Sequence, residues 1–108
     1  MDTRRYGMLM TTVGKREDAE RLAQTVIGQH LAACVQILPI ESFFRWQGNV
    51  VANEPELLLL IKTRDDLFDK ATAAIKASHP YETPEIVATR FEGGHADYFA
   101  WIDSVTMK

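Results

Sequence analysis

At 108 residues, with 46% hydrophobic and 25% charged side chains, the chain has the composition of one globular domain, residues 1–108. Fifteen acids against twelve bases leave a formal charge of −3, which argues against nucleic-acid binding by phosphate neutralisation. The single cysteine, Cys34, excludes an intramolecular disulfide and any multi-thiolate zinc site within one subunit, and the longest aliphatic run, Leu57–Ile61, is far too short to span a bilayer.

Arg4 and Arg5 precede only Tyr6–Met10 before threonines interrupt, so no signal-peptide core is read there. A cytoplasmic location with neither membrane nor nucleic-acid partner is the expectation. Tyr6–Val13 is apolar up to Gly14 and predicts a buried strand. Lys15–His30 then changes period: Ala19, Leu22, Ala23, Val26 and Ile27 form one helical stripe, and Gly28 and His30 mark its end. Leu31–Ile40 is strand-like, broken by Pro39, and Glu41–Trp46 resumes it. Gln47-Gly48-Asn49 signals a turn, and Val50–Thr63 returns as a strand interrupted around Asn53-Glu54-Pro55.

Thr63-Arg64-Asp65-Asp66 reads as a helix start, with Leu67, Ala71, Ala74 and Ile75 on the apolar face and Pro80 beyond the end. Glu85–Phe91 predicts a strand. After Gly93-Gly94, Tyr98, Trp101, Ile102 and Val105 recur at helical spacing. The order β-α-β-β-α-β followed by a C-terminal helix is the split βαβ pattern of an α+β, ferredoxin-like sandwich.

One length conflicts with a compact sandwich. Leu31–Trp46 would reach ~50 Å if straight, at ~3.3 Å per residue. A domain of this size has a radius of gyration of ~13 Å and a diameter of only ~33 Å. The hairpin must bend at Pro39, project, or do both. Its far part carries Phe43, Phe44, Trp46, Val50 and Val51, which predicts shelter on another subunit.

His79-Pro80-Tyr81-Glu82-Thr83-Pro84-Glu85 is the segment richest in chemistry. Two prolines stiffen it around an imidazole, a phenol and two carboxylates. His79 and Glu82 offer a nitrogen and an oxygen to a divalent metal, or act as acid and base; equally, His79 complements a helix C-terminus and Tyr81 buries its ring. Cys34, flanked by small apolar residues, reads first as core and second as a ligand. Met8 and Met10 share one strand face and read as core. Lys62 reads as a solvated strand end or as a holder of carboxylate or phosphate. Phosphate-cradling glycine motifs, RNP-type aromatics and serine-nucleophile machinery are missing, and an enzyme using Glu82 or Glu85 as base has no nucleophile or cofactor motif behind it.

Leu31-Ala32-Ala33-Cys34-Val35, Ser42 with Phe44, Trp46-Gln47-Gly48, Glu56 with Lys62-Thr63, His79 through Ile86, and Tyr98 with Trp101 together resemble the CutA family of divalent-cation tolerance proteins. The likeness runs from about Met8 to Ile102. It implies a ferredoxin-like subunit in a tight homotrimer with PII-like architecture and a long hairpin joining its second and third strands. It also implies a cytoplasmic, non-enzymatic role in tolerance to copper and other divalent cations. In some members copper ligation is assigned to a cysteine ending the first strand and to two adjacent histidines; those positions are Thr11, Ser78 and His79 here, so only His79 is retained. The expected metal set is therefore His79, Glu82 and Cys34, holding Cu(II) or another divalent cation with donors from a neighbouring subunit. A second expectation is a PII-like regulator that binds a small anionic metabolite between subunits, with Trp46, Lys62, Tyr81 and Glu85 beside Glu82.

Overall fold

Alternate residues of the first strand, β1 (Tyr6–Val13), face two different environments, and this alternation organises the fold. The computed structural model describes residues 5–107; Arg4, read above as part of a basic flank, lies outside them. The remaining elements are α1 (Arg16–Gly28), β2 (Cys34–Trp46), β3 (Asn49–Arg64), α2 (Phe68–Ser78), β4 (Ile86–Arg90) and α3 (Ala96–Val105). They form one antiparallel sheet in the order β2-β3-β1-β4. With α1 and α2 on one face, this is the ferredoxin-like α+β arrangement.

The helix-covered face holds the core. Leu9 and Val13 of β1, with Leu59 and Ile61 of β3, are fully buried against Ala19, Leu22 and Val26 of α1 and Ala71 and Ile75 of α2. The stripe expected in α1 is the stripe that packs. A second cluster closes one end of the sheet, where Tyr6 stacks on Phe99 of α3 with ring centroids 4.5 Å apart and Ile102 packs beside them. Here the sequence reading is corrected. Phe99 and Ile102 face inward and Trp101 is exposed, because α3 docks on the Tyr6 ring and not on the helix layer. The expected cap at Thr63 is also corrected. Thr63 remains in β3 and its hydroxyl donates to the Leu31 carbonyl at 2.7 Å, while a short 3-10 turn, Asp65–Leu67, leads into α2.

The opposite face carries no helix layer. Met8 and Met10 of β1, Leu58 and Leu60 of β3, and Leu38 and Val87 on the flanking strands lie there with partial or full exposure. Beyond this face projects the arm. β1 pairs with β3 only over Leu57–Arg64, so Asn49–Glu56 has β2 as its sole strand partner. The molecule measures 46 × 26 × 21 Å, and its radius of gyration of 14.5 Å exceeds the ~13 Å of a compact chain this long. Gln47 and Gly48 close the arm in a two-residue turn with φ of 50° and 81°, the left-handed pair that matches strand twist.

The expected break at Pro39 does not occur. Pro39 pairs opposite Leu57 on an edge strand, where its missing N–H removes no ladder bond from a third strand. The irregularity is a bulge between Ser42 and Phe44, opposite Asn53, which sits at φ 56° with its amide donating to Glu41 at 2.9 Å.

Candidate functional site: an acidic, aromatic cleft at the base of the arm

The loop between α2 and β4 is fixed by its own histidine. His79 Nε2 lies 2.9 Å from the Thr12 carbonyl, and the Tyr81 amide donates to Nδ1 at 3.1 Å. A carbonyl only accepts and an amide N–H only donates, so the neutral tautomer carries its proton on Nε2. Burial holds the imidazole below its ordinary pKa, although the bond to Thr12 acts the other way. Arg21 of α1 donates to the Ser78 carbonyl at 2.7 Å and fixes the end of α2 just before the loop. His79 thus ties β1, α2 and the loop together. Both ring nitrogens of His79, expected to offer a donor to a divalent metal, are bonded to backbone groups in this conformation.

This strut carries Tyr81 onto the sheet. The phenol donates to Glu56 Oε2 at 2.6 Å, and burial together with that carboxylate pushes its pKa well above the ordinary tyrosine value. Glu56 is only 8% exposed. Around this pair opens a cleft of about 620 Å³ between the arm and the loop. Its carboxylates are Glu54, Glu56, Glu82 and Glu85; its aromatic walls are Phe43, Phe44, Trp46 and Tyr81; among the described residues neither lysine nor arginine lines it.

The structure therefore brings Trp46, Tyr81, Glu82 and Glu85 of the expected residues to one place. Two others lie elsewhere. Cys34 and Lys62 pair with each other across β2 and β3, whereas Thr12, beneath the cleft, aligns with Leu58. That separation along the strand is roughly 13 Å at ~3.3 Å per residue. Cys34 is half-buried in a shallow hollow with Ile27 and Trp101, and the neighbouring Tyr98 phenol is raised by burial and by the thiol. Within one chain, His79, Glu82 and Cys34 do not converge. Among the described residues no three histidine, cysteine or acidic side chains are grouped to hold one ion.

Sequence reasoning missed Glu54 and Thr12 as lining residues and placed Glu56 only in the family likeness. A signal was present: Glu54 and Glu56, two apart in a strand, must share a face, and Ser42 pairs with Glu54. The family model for the CutA1 divalent ion tolerance protein matches residues 7–105. The chain belongs to the CutA1 family. It is 43% identical over 96 residues to the divalent-cation tolerance protein CutA of Thermus thermophilus, covering 88% of this chain and 92% of that protein. It is 42% identical over 100 residues to the chloroplastic CutA 1 of rice, covering 92% of this chain but only 56% of the rice protein's own length. The solved periplasmic divalent cation tolerance protein CutA of Archaeoglobus fulgidus superimposes with a TM-score of 0.89 at 38% identity, over 93% of this chain and 97% of that one. CutA1 membership carries divalent-cation tolerance as the family's general role, and the family is named for that role and not for a reaction.

Proposed function

We propose that this CutA1 chain works as a non-enzymatic homotrimer in divalent-cation tolerance, binding a divalent cation such as Cu(II) weakly through the carboxylates of the cleft. One observation carries the reading: Glu54, Glu56, Glu82 and Glu85 line a single cleft, and no lysine or arginine among the described residues lines it with them. Such a field concentrates cations and repels anions. The same observation weighs against the anionic-metabolite reading, since Lys62 lies away from the cleft. Oxygen donors spread around a wide opening give weak binding, and an adjacent subunit is the natural source of further donors.

Assembly is supported by the bare sheet face and by the arm, whose Phe43 and Val50 are 66% and 64% exposed. A cytoplasmic site of action belongs to the proposal and rests on the single unpaired thiol, which suits a reducing compartment. Calorimetric titration of the purified protein with Cu(II), Zn(II) and Mg(II) tests the metal reading. The expected result is weak saturable binding, lowered severalfold by Glu82→Gln and by Glu54→Gln. Affinity indifferent to both glutamine variants refutes the carboxylate site. Light scattering tests the assembly, with a mass of three chains at micromolar concentration expected and a monomer refuting it.

A further inference from the structure

Charge on the bare sheet face is sorted by position. Of the strand residues that alternate onto it, the basic ones are Arg64 and Lys62. Arg64, 8% exposed, is spent on Asp66, the Thr106 hydroxyl and the Met107 carbonyl. Lys62 is half-buried between Met8 of β1 and Cys34 of β2, and among the described residues no ion pair or side-chain hydrogen bond reaches its ammonium group. Glu54 and Glu56 stand on the same face of β3 at the arm end, and even Glu56 is ~20 Å from Lys62 at ~3.3 Å per residue. Leu58 and Leu60 separate them, with Met8 and Met10 alongside. The face is basic at one end, acidic at the other and apolar between, and nothing within one chain joins the two charges.

We infer that Lys62 of the partner subunit enters the acidic cleft, which is therefore completed at a seam between two copies. Covering the apolar face strips water from Lys62, and a desolvated ammonium group needs a carboxylate beside it. The carboxylates of its own cleft are out of reach. Glu56 has the converse need, since it is 8% exposed and the neutral Tyr81 phenol is its donor among the described residues. Opposite charges left unmet at the two ends of one face fix the register of a second copy as well as its identity. In a closed ring each chain gives Lys62 to one neighbour and receives the same residue from the other. Glu54, Glu56, Glu82 and Glu85 outnumber one ammonium, so the cleft stays negative and open to a divalent cation. The inference rests on the homotrimer reading and adds which side chains meet.

The test is zero-length cross-linking of the wild-type protein with a water-soluble carbodiimide, which joins an amine to a carboxylate only where the two touch. Bands of two and three chains are expected, and peptide mass spectrometry should find in them an amide between Lys62 and a glutamate of the cleft. Lys62→Met keeps the aliphatic stem and removes the charge. It should abolish that link and raise the dissociation constant of the assembly about tenfold or more, followed by light scattering on dilution. A wild-type trimer with no such link, or with Lys62 linked only to carboxylates outside the cleft, overturns the inference and leaves the assembly standing. Equal dissociation of wild type and Lys62→Met does the same. A wild-type monomer overturns the assembly reading itself, and the shared cleft with it. The cross-link is read on the wild type, so the outcome does not depend on the variant's folding.

Discussion

Leu59 and Leu58 are adjacent, equally apolar and treated oppositely by the sheet. Leu59 points to the helices and is fully buried, while Leu58 points to the face that no helix covers and is only half-buried. The same division separates Leu9 from Met8 and Met10 one strand away. A sheet buried by its own helices is stable within one chain. A sheet with a second apolar face is not finished until something else packs on it. The arm extends the unfinished side, since its aromatic residues stand beyond the reach of the helix layer.

Breaking the covered face should have the largest effect. Leu59→Ala is expected to lower unfolding free energy by about 2–5 kcal/mol, measured by urea denaturation, because the side chain is fully buried in the core beneath α1 and α2 and its truncation leaves a cavity there. Leu58→Asp should spare the subunit's fold, read by circular dichroism, and shift the mass by light scattering from three chains to one. If instead Leu58→Asp unfolds the chain, the two faces are not separable.

Tyr81→Phe removes the one donor to Glu56 among the described residues and should cost about 1–3 kcal/mol. His79 adds a pH signature. Its pKa is depressed in the folded state below the ordinary 6.5, so the unfolded chain takes up the proton first. The stability that neutral His79 contributes is therefore complete above about pH 6.5 and lost as the pH falls through the folded pKa. Acidification should weaken the wild type more than His79→Ala, compared by urea denaturation at both ends of that window. The smallest effect is expected at the tip, where Gly48→Ala forces a side chain into φ 81° with nothing around it to clash, costing about 1 kcal/mol.

Much of the fold was legible because its signals are local. The stripe Ala19-Leu22-Val26 and the turn at Gln47-Gly48 each follow from a few neighbouring residues. The misplaced features all depend on partners distant in sequence. Pro39 passes without a break because β2 is an edge strand, and Phe99 replaces Trp101 as the inward residue because Tyr6 supplies the ring it stacks on. The site was half legible for the same reason. Glu82 and Glu85 stood out in a proline-bounded loop, but that His79 spends both nitrogens on Thr12 and Tyr81 is visible only once β1 lies beside the loop.

The bulge opposite Phe43 acts as a phase setter for the distal arm. Ser42 and Phe44 stay on one side of β2, whereas β3 takes an extra step between Glu54 and Val51, so Val51 turns into the cleft and Val50 turns out. Excising Asn53 would let the alternation of β3 run on uninterrupted. Val51 would still face Phe44 and Val50 would still turn out, so the deletion would straighten the arm while leaving the lining of the cleft in place.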